Sequence, residues 1–294
     1  MRNLNLFVKP NEQQRSAASM MPWREKNCVT NLFLALLLTA VASIMLTPCS
    51  KGDDEPKYKF TDVTIAAGQT KTIANALGLS WTSSNSLIAK MEGDVLTAVH
   101  VGSATLISAK GSFGVTVKPT STLYVDPYLA FGAQLATVKS WMSANITAAT
   151  LEASSGTSSL LYSCTGSGAS VYGYYFGDSG LNMANVMLKL SYSDELVDFL
   201  TERYVTVTVD KEKQYIGLVS PQKDILIVLE PYKVSKTTVW NVIYAPYTAS
   251  SSTSASAAIS ALASAAELTR TSSDLVGQSP EACPEFGAIA GRFE

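Results

Sequence analysis

Residues 81–107 have the sequence WTSSNSLIAKMEGDVLTAVHVGSATLI, and this stretch decides the fold of the first part of the chain. In Val95–Val99 and Ala104–Ile107 the apolar residues recur with a period near two, the pattern of a strand with one buried face. Turn-forming residues separate these runs: Ser83-Ser84-Asn85, Gly93-Asp94 and Gly102. The stretch therefore predicts short strands joined by tight turns.

The same pattern extends over residues 58–119. Seven runs rich in β-forming residues are candidate strands: Tyr58–Ile65, Thr70–Ile73, Leu79–Thr82, Leu87–Met91, Val95–Val99, Ala104–Ala109 and Phe113–Val117. About seven strands in roughly sixty residues is the spacing expected of a small β-sandwich.

Four strings in this region carry a family resemblance: Trp81–Ala89, Gly93–Val99, Val101–Leu106 and Phe113–Val117. Together they resemble a group 2 bacterial immunoglobulin-like domain. The resemblance implies that the module serves as a spacer or as part of an adhesive surface array. Within such a sandwich we expect Trp81 to fill the core between the sheets and Gly102 to allow a sharp corner.

After the short linker Pro119–Thr122 the pattern becomes mixed. Phe131, Leu135, Val138 and Met142 have the spacing of a helix with one apolar face, and Asp194–Tyr204 predicts a second helix capped by Ser193. Candidate strands follow each helix: Ser159–Cys164, Val171–Phe176 and Asn185–Leu190, then Thr206–Val209 running into Tyr215–Val219, Ile225–Pro231 and Val239–Tyr244.

A helix followed by three strands thus occurs twice, over residues 126–191 and 192–248. This duplication predicts an α+β domain over residues 120–248, in which an antiparallel sheet is backed by two helices. The order of elements faintly resembles that of β-lactamase inhibitor-like proteins, an analogy of fold that carries no activity with it.

An aromatic cluster in this second region is the candidate ligand site, with two tryptophans elsewhere in the domain. The cluster contains Tyr172, Tyr174 and Tyr175, and the tryptophans are Trp141 and Trp240. An exposed set of this kind can stack on sugar rings. Because Tyr172 and Tyr174 alternate with Tyr175, part of the set must instead belong to the core.

The N-terminal part of the chain indicates export. An uncharged apolar run from Val29 to Met45 follows Arg24 and Lys26, as in a secretion signal or a short anchor. Leu46-Thr47-Pro48-Cys49 resembles a bacterial lipobox, although Pro48 replaces the usual small residue. The resemblance implies acylation of Cys49, and an uncleaved anchor is the alternative.

We therefore expect residues 1–49 to be a leader and residues 50–57 an acidic spacer, with translation starting at Met20 or Met21. The acidic cluster Ser50–Glu55 resembles the signal that sends lipoproteins of Bacteroidetes-type bacteria to the outer cell surface, and a solvated spacer is the alternative. These features predict a protein on the outer membrane. Its acyl chains would insert into the bilayer, so the membrane is its first expected partner.

Composition narrows the function further. Removal of the leader before Cys49 leaves 17 Lys and Arg against 22 Asp and Glu, so the exported chain has no broad basic surface for nucleic acid. With a single histidine, His100, histidine-dependent triads and multi-histidine metal sites lack parts. Cys164 and Cys283 are the two cysteines left to pair or to stay free.

We expect the Ser- and Ala-rich tail, residues 249–294, to be loosely attached or disordered.

The sequence therefore predicts a mainly β, multi-domain protein: a small immunoglobulin-like sandwich followed by an α+β domain with two helices. We expect a lipid-anchored surface protein for binding or adhesion, with no enzyme activity, cofactor or metal. In this interpretation the sandwich is a stalk and the second domain binds a glycan or a host matrix protein. The alternatives are a hydrolase of extracellular polymers, which needs paired carboxylates or a nucleophile with its base, and a protein-binding inhibitor or scaffold.

Overall fold

The structure is a computed structural model that describes residues 58–166, 168–248, 254–272 and 283–294. Within residues 254–272, side chains are described as far as residue 263. The predicted leader, the acidic spacer and Cys49 lie outside the described residues. Tyr58–Glu294 form one compact, mainly β unit. Within the described residues, no helix is long and apolar enough to span a bilayer.

The first part contains the seven predicted strands, each within a few residues of its expected position. They are β1 (Val63–Ala66), β2 (Thr70–Thr72), β3 (Thr82–Ser83), β4 (Ala89–Glu92), β5 (Val95–Ala98), β6 (Gly102–Ser108) and β7 (Gly111–Lys118). One sheet has the order β1-β7-β6-β3 and the other the order β2-β5-β4. All pairs are antiparallel except β1 and β7, which run parallel.

Both sheets contribute to a single core, in which Ile88, Leu96 and Leu106 are buried. Trp81 was predicted to fill this core, and that placement is only partly right. The ring packs edge-on against Phe60 and Phe113 at one end of the core and remains half-buried. This position lets the indole N–H donate to a backbone carbonyl, that of Ala76, at 3.4 Å.

Gly102 has the conformation that the predicted corner requires. Its φ of +145° lies in a region that L-residues rarely adopt. A Cβ at this position would lie 2.9 Å from Ile88 Cδ1 and 3.2 Å from Gln222 Nε2, so the close approach also depends on glycine.

Residues 149–246 form one eight-stranded antiparallel sheet. Its strands are β8 (Ala149–Leu151), β9 (Ser159–Cys164), β10 (Ala169–Gly177), β11 (Gly180–Lys189), β12 (Val205–Asp210), β13 (Tyr215–Val219), β14 (Ile225–Val234) and β15 (Thr237–Pro246). The order across the sheet is β12-β13-β14-β15-β11-β10-β9-β8.

The predicted duplication exists, but each half has four strands after its helix rather than three. Helix α1 (Leu135–Asn145) precedes β8–β11, and helix α2 (Ser193–Thr201) precedes β12–β15. The short strand β8 escaped prediction, and β12 and β13 are separate strands rather than one. The two halves meet where their last strands, β11 and β15, pair antiparallel, so the halves are related as by a two-fold axis through the sheet.

Both helices cover the same face of the sheet. Val138 and Met142 of α1 and Phe199 and Leu200 of α2 are completely buried in the large core of this domain. They fit because every second residue of the central strands points to this face, with Trp240 among them.

The prediction that residues 249–294 are loosely attached or disordered is wrong for the described parts of this segment. Helix α3 (Ala255–Ser272) packs on the opposite face of the sheet, where Ile259 is fully buried beside Gly217. Helix α4 (Pro284–Ala290) contributes Phe286 and Ile289 to the large core. The described part of the chain thus has four helices against the sheet, not two. The stripe of Phe286, Ile289 and Phe293 has helical spacing, but it follows a long Ser- and Ala-rich segment that hid its connection to the domain.

The segment between the two parts is also more ordered than a linker. Glu202, at the end of α2, accepts hydrogen bonds from the backbone N–H of Thr120 and of Ser121. The Glu202 carbonyl accepts another from Val101 of the first part at 2.8 Å. Asn85 Nδ2 adds a fourth contact by donating to the Pro221 carbonyl at 3.0 Å.

Candidate functional site

The predicted aromatic platform is not formed as a surface. Tyr172, Tyr174 and Trp240 are at most 1% exposed and belong to the core beneath the helices. Their polar atoms are used internally: Tyr172 donates to the Val125 carbonyl at 2.9 Å, and the Trp240 indole donates to Ser193 Oγ at 3.0 Å. Burial raises the pKa of Tyr172 and of Tyr174.

The other two residues of the platform lie apart from each other. Tyr175 is half-buried on the opposite face of the sheet, because it alternates with Tyr174 along β10. Trp141 is half-buried on α1, where its ring packs against Tyr128. The correction follows from strand alternation, which places the aromatic residues on different faces.

A cavity of about 930 Å³ lies elsewhere, where the segment Pro119–Asp126 packs against the hairpin between β9 and β10. Gly168 makes the close packing possible. Its N–H donates to the Leu123 carbonyl at 3.1 Å, and a Cβ on it would lie 2.5 Å from that same oxygen. Gly166 and Gly168 lie in the connection between β9 and β10, which forms one wall of the cavity.

Arg203 is held in the cavity wall by stacking and by several hydrogen bonds. Its guanidinium stacks 3.6 Å above the centre of the Phe199 ring and donates to the Phe199 carbonyl, to the Ser121 carbonyl and to Glu202 Oε1. The residue is 8% exposed, and its Nε–H has no hydrogen-bond acceptor in the described part of the chain. Packing and hydrogen bonds therefore fix Arg203 while leaving one buried donor unsatisfied.

Asp126 lies beside that donor. Its Oδ2 is 3.6 Å from Arg203 Nε, an ion pair too long for a hydrogen bond, and its side chain is half-exposed at 48%. Burial of the carboxyl against the cavity wall raises the pKa of Asp126, while the charge of Arg203 acts in the opposite direction. Asp126 makes no hydrogen bond to another described residue, so its carboxylate can accept one from a ligand.

Lys189, at the end of β11, also lines the cavity. It is exposed and forms no ion pair within the described residues. Most of the other polar groups are hydroxyls, those of Ser121, Thr122, Thr165, Ser170 and Tyr192. The cavity therefore offers one acceptor with full negative charge, one free ammonium group and several hydroxyls.

Cys164 lies in the wall of the same cavity. Burial raises the pKa of its thiol above the ordinary value, which disfavours the nucleophilic thiolate. Cys164 and Cys283, whose pairing the sequence left open, are both free thiols here. In the described ranges no group of three or more His, Cys, Asp or Glu residues converges as metal ligands do.

A second polar feature lies on the sheet face opposite α1 and α2. Asn185 Nδ2 donates to Asn241 Oδ1 at 2.8 Å, and Asn241 Nδ2 donates to Glu230 Oε1 at 3.1 Å, which links three neighbouring strands. Gly173 makes room for this row, since a Cβ there would clash with Asn185 Oδ1. The row is buried and lines no part of the cavity.

Sequence reasoning missed Asp126, Lys189 and Arg203 as site residues. No local motif marks them, because they come from a connecting segment, a strand end and a helix end that meet only in the folded chain. One signal was present in the sequence. Segment 119–126 lies before the apolar helix and is longer than a simple connection requires, and long connecting segments often carry functional residues.

No protein-family model matches this chain, and neither the curated proteins nor the solved structures contain a significantly similar one.

Proposed function

We propose that this protein is a lipid-anchored surface protein for binding or adhesion, and that its ligand occupies the cavity beside segment 119–126. The observation that carries the proposal is the combination, in one open cavity, of a carboxylate and an ammonium group that no described residue hydrogen-bonds. Concave sites with a few convergent polar groups are the usual form of a ligand site.

The architecture supports binding because the cavity walls are held before any ligand arrives. Arg203 is fixed by stacking and hydrogen bonds, and Gly168 fixes the segment against the hairpin. A preorganised site loses less conformational entropy when its ligand binds.

The first part of the chain fits an immunoglobulin-like support. Its seven strands form two sheets around one core, which supports this role, and the Val101 N–H joins it to the carbonyl of Glu202, the neighbour of the cavity residue Arg203. In this proposal the module presents the cavity away from the membrane and also stabilises one of its walls.

The anchoring part of the proposal depends on Cys49. Cys49→Ser should abolish acylation and move the protein from the detergent-extracted membrane fraction to the soluble exported fraction, or leave the precursor uncut. Cys28→Ser, which changes a cysteine upstream of the lipobox-like sequence, is the control. Metabolic labelling with a fatty-acid analogue measures the outcome, and unchanged labelling of Cys49→Ser would disprove the lipoprotein assignment.

The binding part is tested by filling the cavity. Thr165→Trp adds a large side chain at an exposed position of its rim, while Thr237→Trp adds the same side chain at an exposed strand end elsewhere. The full chain in detergent is tested on a glycan array and on surfaces coated with collagen, fibronectin and laminin. We expect capture by at least one of these probes, lost in Thr165→Trp and retained in Thr237→Trp. Equal capture by both variants, or none by the parent, would contradict the proposal, and product formation from a bound glycan would favour a hydrolase.

A further inference from the structure

We propose that the cavity binds a neutral saccharide, with Asp126 accepting hydrogen bonds from its hydroxyls and Lys189 donating to them. This inference depends on the proposed function, because it names the ligand class of the same cavity.

The charge of Arg203 is already balanced. The guanidinium forms a close ion pair with Glu202, whose side chain is also only 9% exposed, and two further donors of Arg203 are used by backbone carbonyls. Among the charged groups that line the cavity, Asp126 and Lys189 therefore remain with opposite charges and free hydrogen-bonding capacity.

This arrangement discriminates against ligands with a single charge. Asp126 and Lys189 line the same cavity, so a ligand that fills it meets both charges: an anionic ligand is repelled by Asp126 and a cationic one by Lys189. A hydroxyl group both donates and accepts, so one neutral polyol can satisfy Asp126 and Lys189 without repulsion.

The remaining lining also favours a saccharide. Five hydroxyl-bearing residues line the cavity besides Tyr124, whose hydroxyl is hydrogen-bonded to Tyr244 within the core. Hydroxyls exchange hydrogen bonds with sugar hydroxyls, and apolar wall atoms such as those of Leu123 and Val125 can contact the C–H surface of a sugar ring. A zwitterionic amino acid would match the two charges but not this extended set of hydroxyls.

The buried Nε–H of Arg203 is an independent observation that indicates a ligand. A buried donor without an acceptor costs free energy, and Asp126 Oδ2, 3.6 Å away, is too far for a hydrogen bond. A saccharide hydroxyl that hydrogen-bonds to Asp126 can shift the carboxylate relative to the Arg203 Nε–H. We therefore expect Arg203 to act as a positioning residue for Asp126.

The first experiment compares matched sugars on the full chain in detergent. Glucose, glucuronate and glucosamine form one series that differs in charge, galactose, galacturonate and galactosamine form a second, and free serine is the zwitterionic probe. Saturation-transfer NMR and calorimetry measure the affinities. We expect the neutral sugar of at least one series to bind at least about fivefold more tightly than its charged relatives and than serine.

Several outcomes would overturn the inference: tighter binding of a uronate, an amino sugar or serine, or no binding by any of these probes. The proposed function is judged separately. If Thr165→Trp still abolishes capture on the array or the matrix-coated surfaces while no neutral sugar binds, the cavity is a binding site and only its assignment to neutral saccharides fails.

The second experiment changes the two charged groups. Asp126→Asn should weaken binding of the neutral sugar by about tenfold and reduce the discrimination against the uronate, and Lys189→Gln should reduce discrimination against the amino sugar. Asp178→Asn and Lys236→Gln, which change exposed groups outside the cavity, should leave both properties unchanged. Thermal unfolding of each variant verifies folding. Unchanged affinity and unchanged charge preference in the folded Asp126→Asn variant would refute the role of this carboxylate.

Discussion

Thr120 donates two hydrogen bonds to the same oxygen of Glu202: its backbone N–H lies 2.8 Å and its hydroxyl 2.6 Å from Glu202 Oε2. Glu202 is only 9% exposed in its side chain and is also paired with Arg203. A residue of the connecting segment is thus held to the end of a helix that belongs to the second part of the chain. The connection between the two parts is a fixed element and forms a wall of the cavity.

Loss of this carboxylate should destabilise the protein. Glu202→Gln places an amide N–H₂ group where at least one donor now finds an oxygen, and it leaves the buried Arg203 without its counter-charge. We expect the free energy of unfolding to fall by about 2–3 kcal/mol, measured by chemical denaturation. Glu195→Gln, at an exposed position of the same helix, should change it by less than about 0.5 kcal/mol. Equal stability of the two variants would contradict the role of Glu202.

The effect of Glu202 should also depend on pH. Burial raises the pKa of Glu202, but hydrogen bonds from Thr120 and Ser121 and the charge of Arg203 outweigh it, so the pKa lies below the ordinary value of 4.5. The stabilisation is therefore fully present above about pH 4.5 and is lost as the pH falls through the lowered pKa. The stability difference between the parent and Glu202→Gln should be constant from pH 7 to about pH 5 and shrink below that range. The charge of Glu202 also raises the pKa of Asp126, so both proteins are compared in an Asp126→Asn background, which removes this second titration.

The C-terminal helix should be required for stability. Phe286→Ala removes a side chain that is 2% exposed in the large core, and we expect a loss of about 3–5 kcal/mol in the free energy of unfolding. Gly287→Ala is the matched control on the same helix, because an added Cβ meets no atom within 4 Å and alanine favours a helix. It should leave stability unchanged or raise it slightly. If Phe286→Ala unfolds like the parent, α4 does not belong to the core.

Gly168 should control the shape of the cavity. An added Cβ lies 2.5 Å from both the carbonyl oxygen and Cδ1 of Leu123, so Gly168→Ala must push the connecting segment away from the hairpin. We expect a loss of about 1–3 kcal/mol in stability and weaker ligand binding. Gly156→Ala, at an exposed loop position with no atom near the added Cβ, should change neither. Hydrogen exchange of the Gly168 amide, now bonded to Leu123, reports the displacement directly.

Local pattern was sufficient to predict most elements of the fold. The period-two runs between Val95 and Val117 became strands, and the helical spacing of Val138 and Met142 marked the buried face of α1. These predictions succeeded because each depends on residues close in sequence. Strand β8 and helix α4 were missed because one is three residues long and the other follows a segment of low complexity.

The candidate site was not predictable in the same way. Tyrosines on a strand look alike whether they point to the core or to solvent, and only the covering helices decide that Tyr172 and Tyr174 are buried. The pairing of Asp126 with Arg203 joins residues that are far apart in the sequence. Such a contact depends on the tertiary arrangement of β9, β10 and α2, which periodicity does not specify.

The pairing of β11 with β15 has a consequence for ancestry. A single unit of one helix and four strands would leave the last strand as an open edge, with unpaired N–H and C=O groups that favour association. Two copies of such a unit would satisfy each other by antiparallel pairing of that strand, as β11 and β15 do now. The domain therefore has the strand pairing of a two-fold homodimer within one polypeptide, the arrangement that duplication and fusion of a gene would produce. In such a history the two halves are released from identity, so that residues of both, such as Lys189 and Arg203, can build a single cavity.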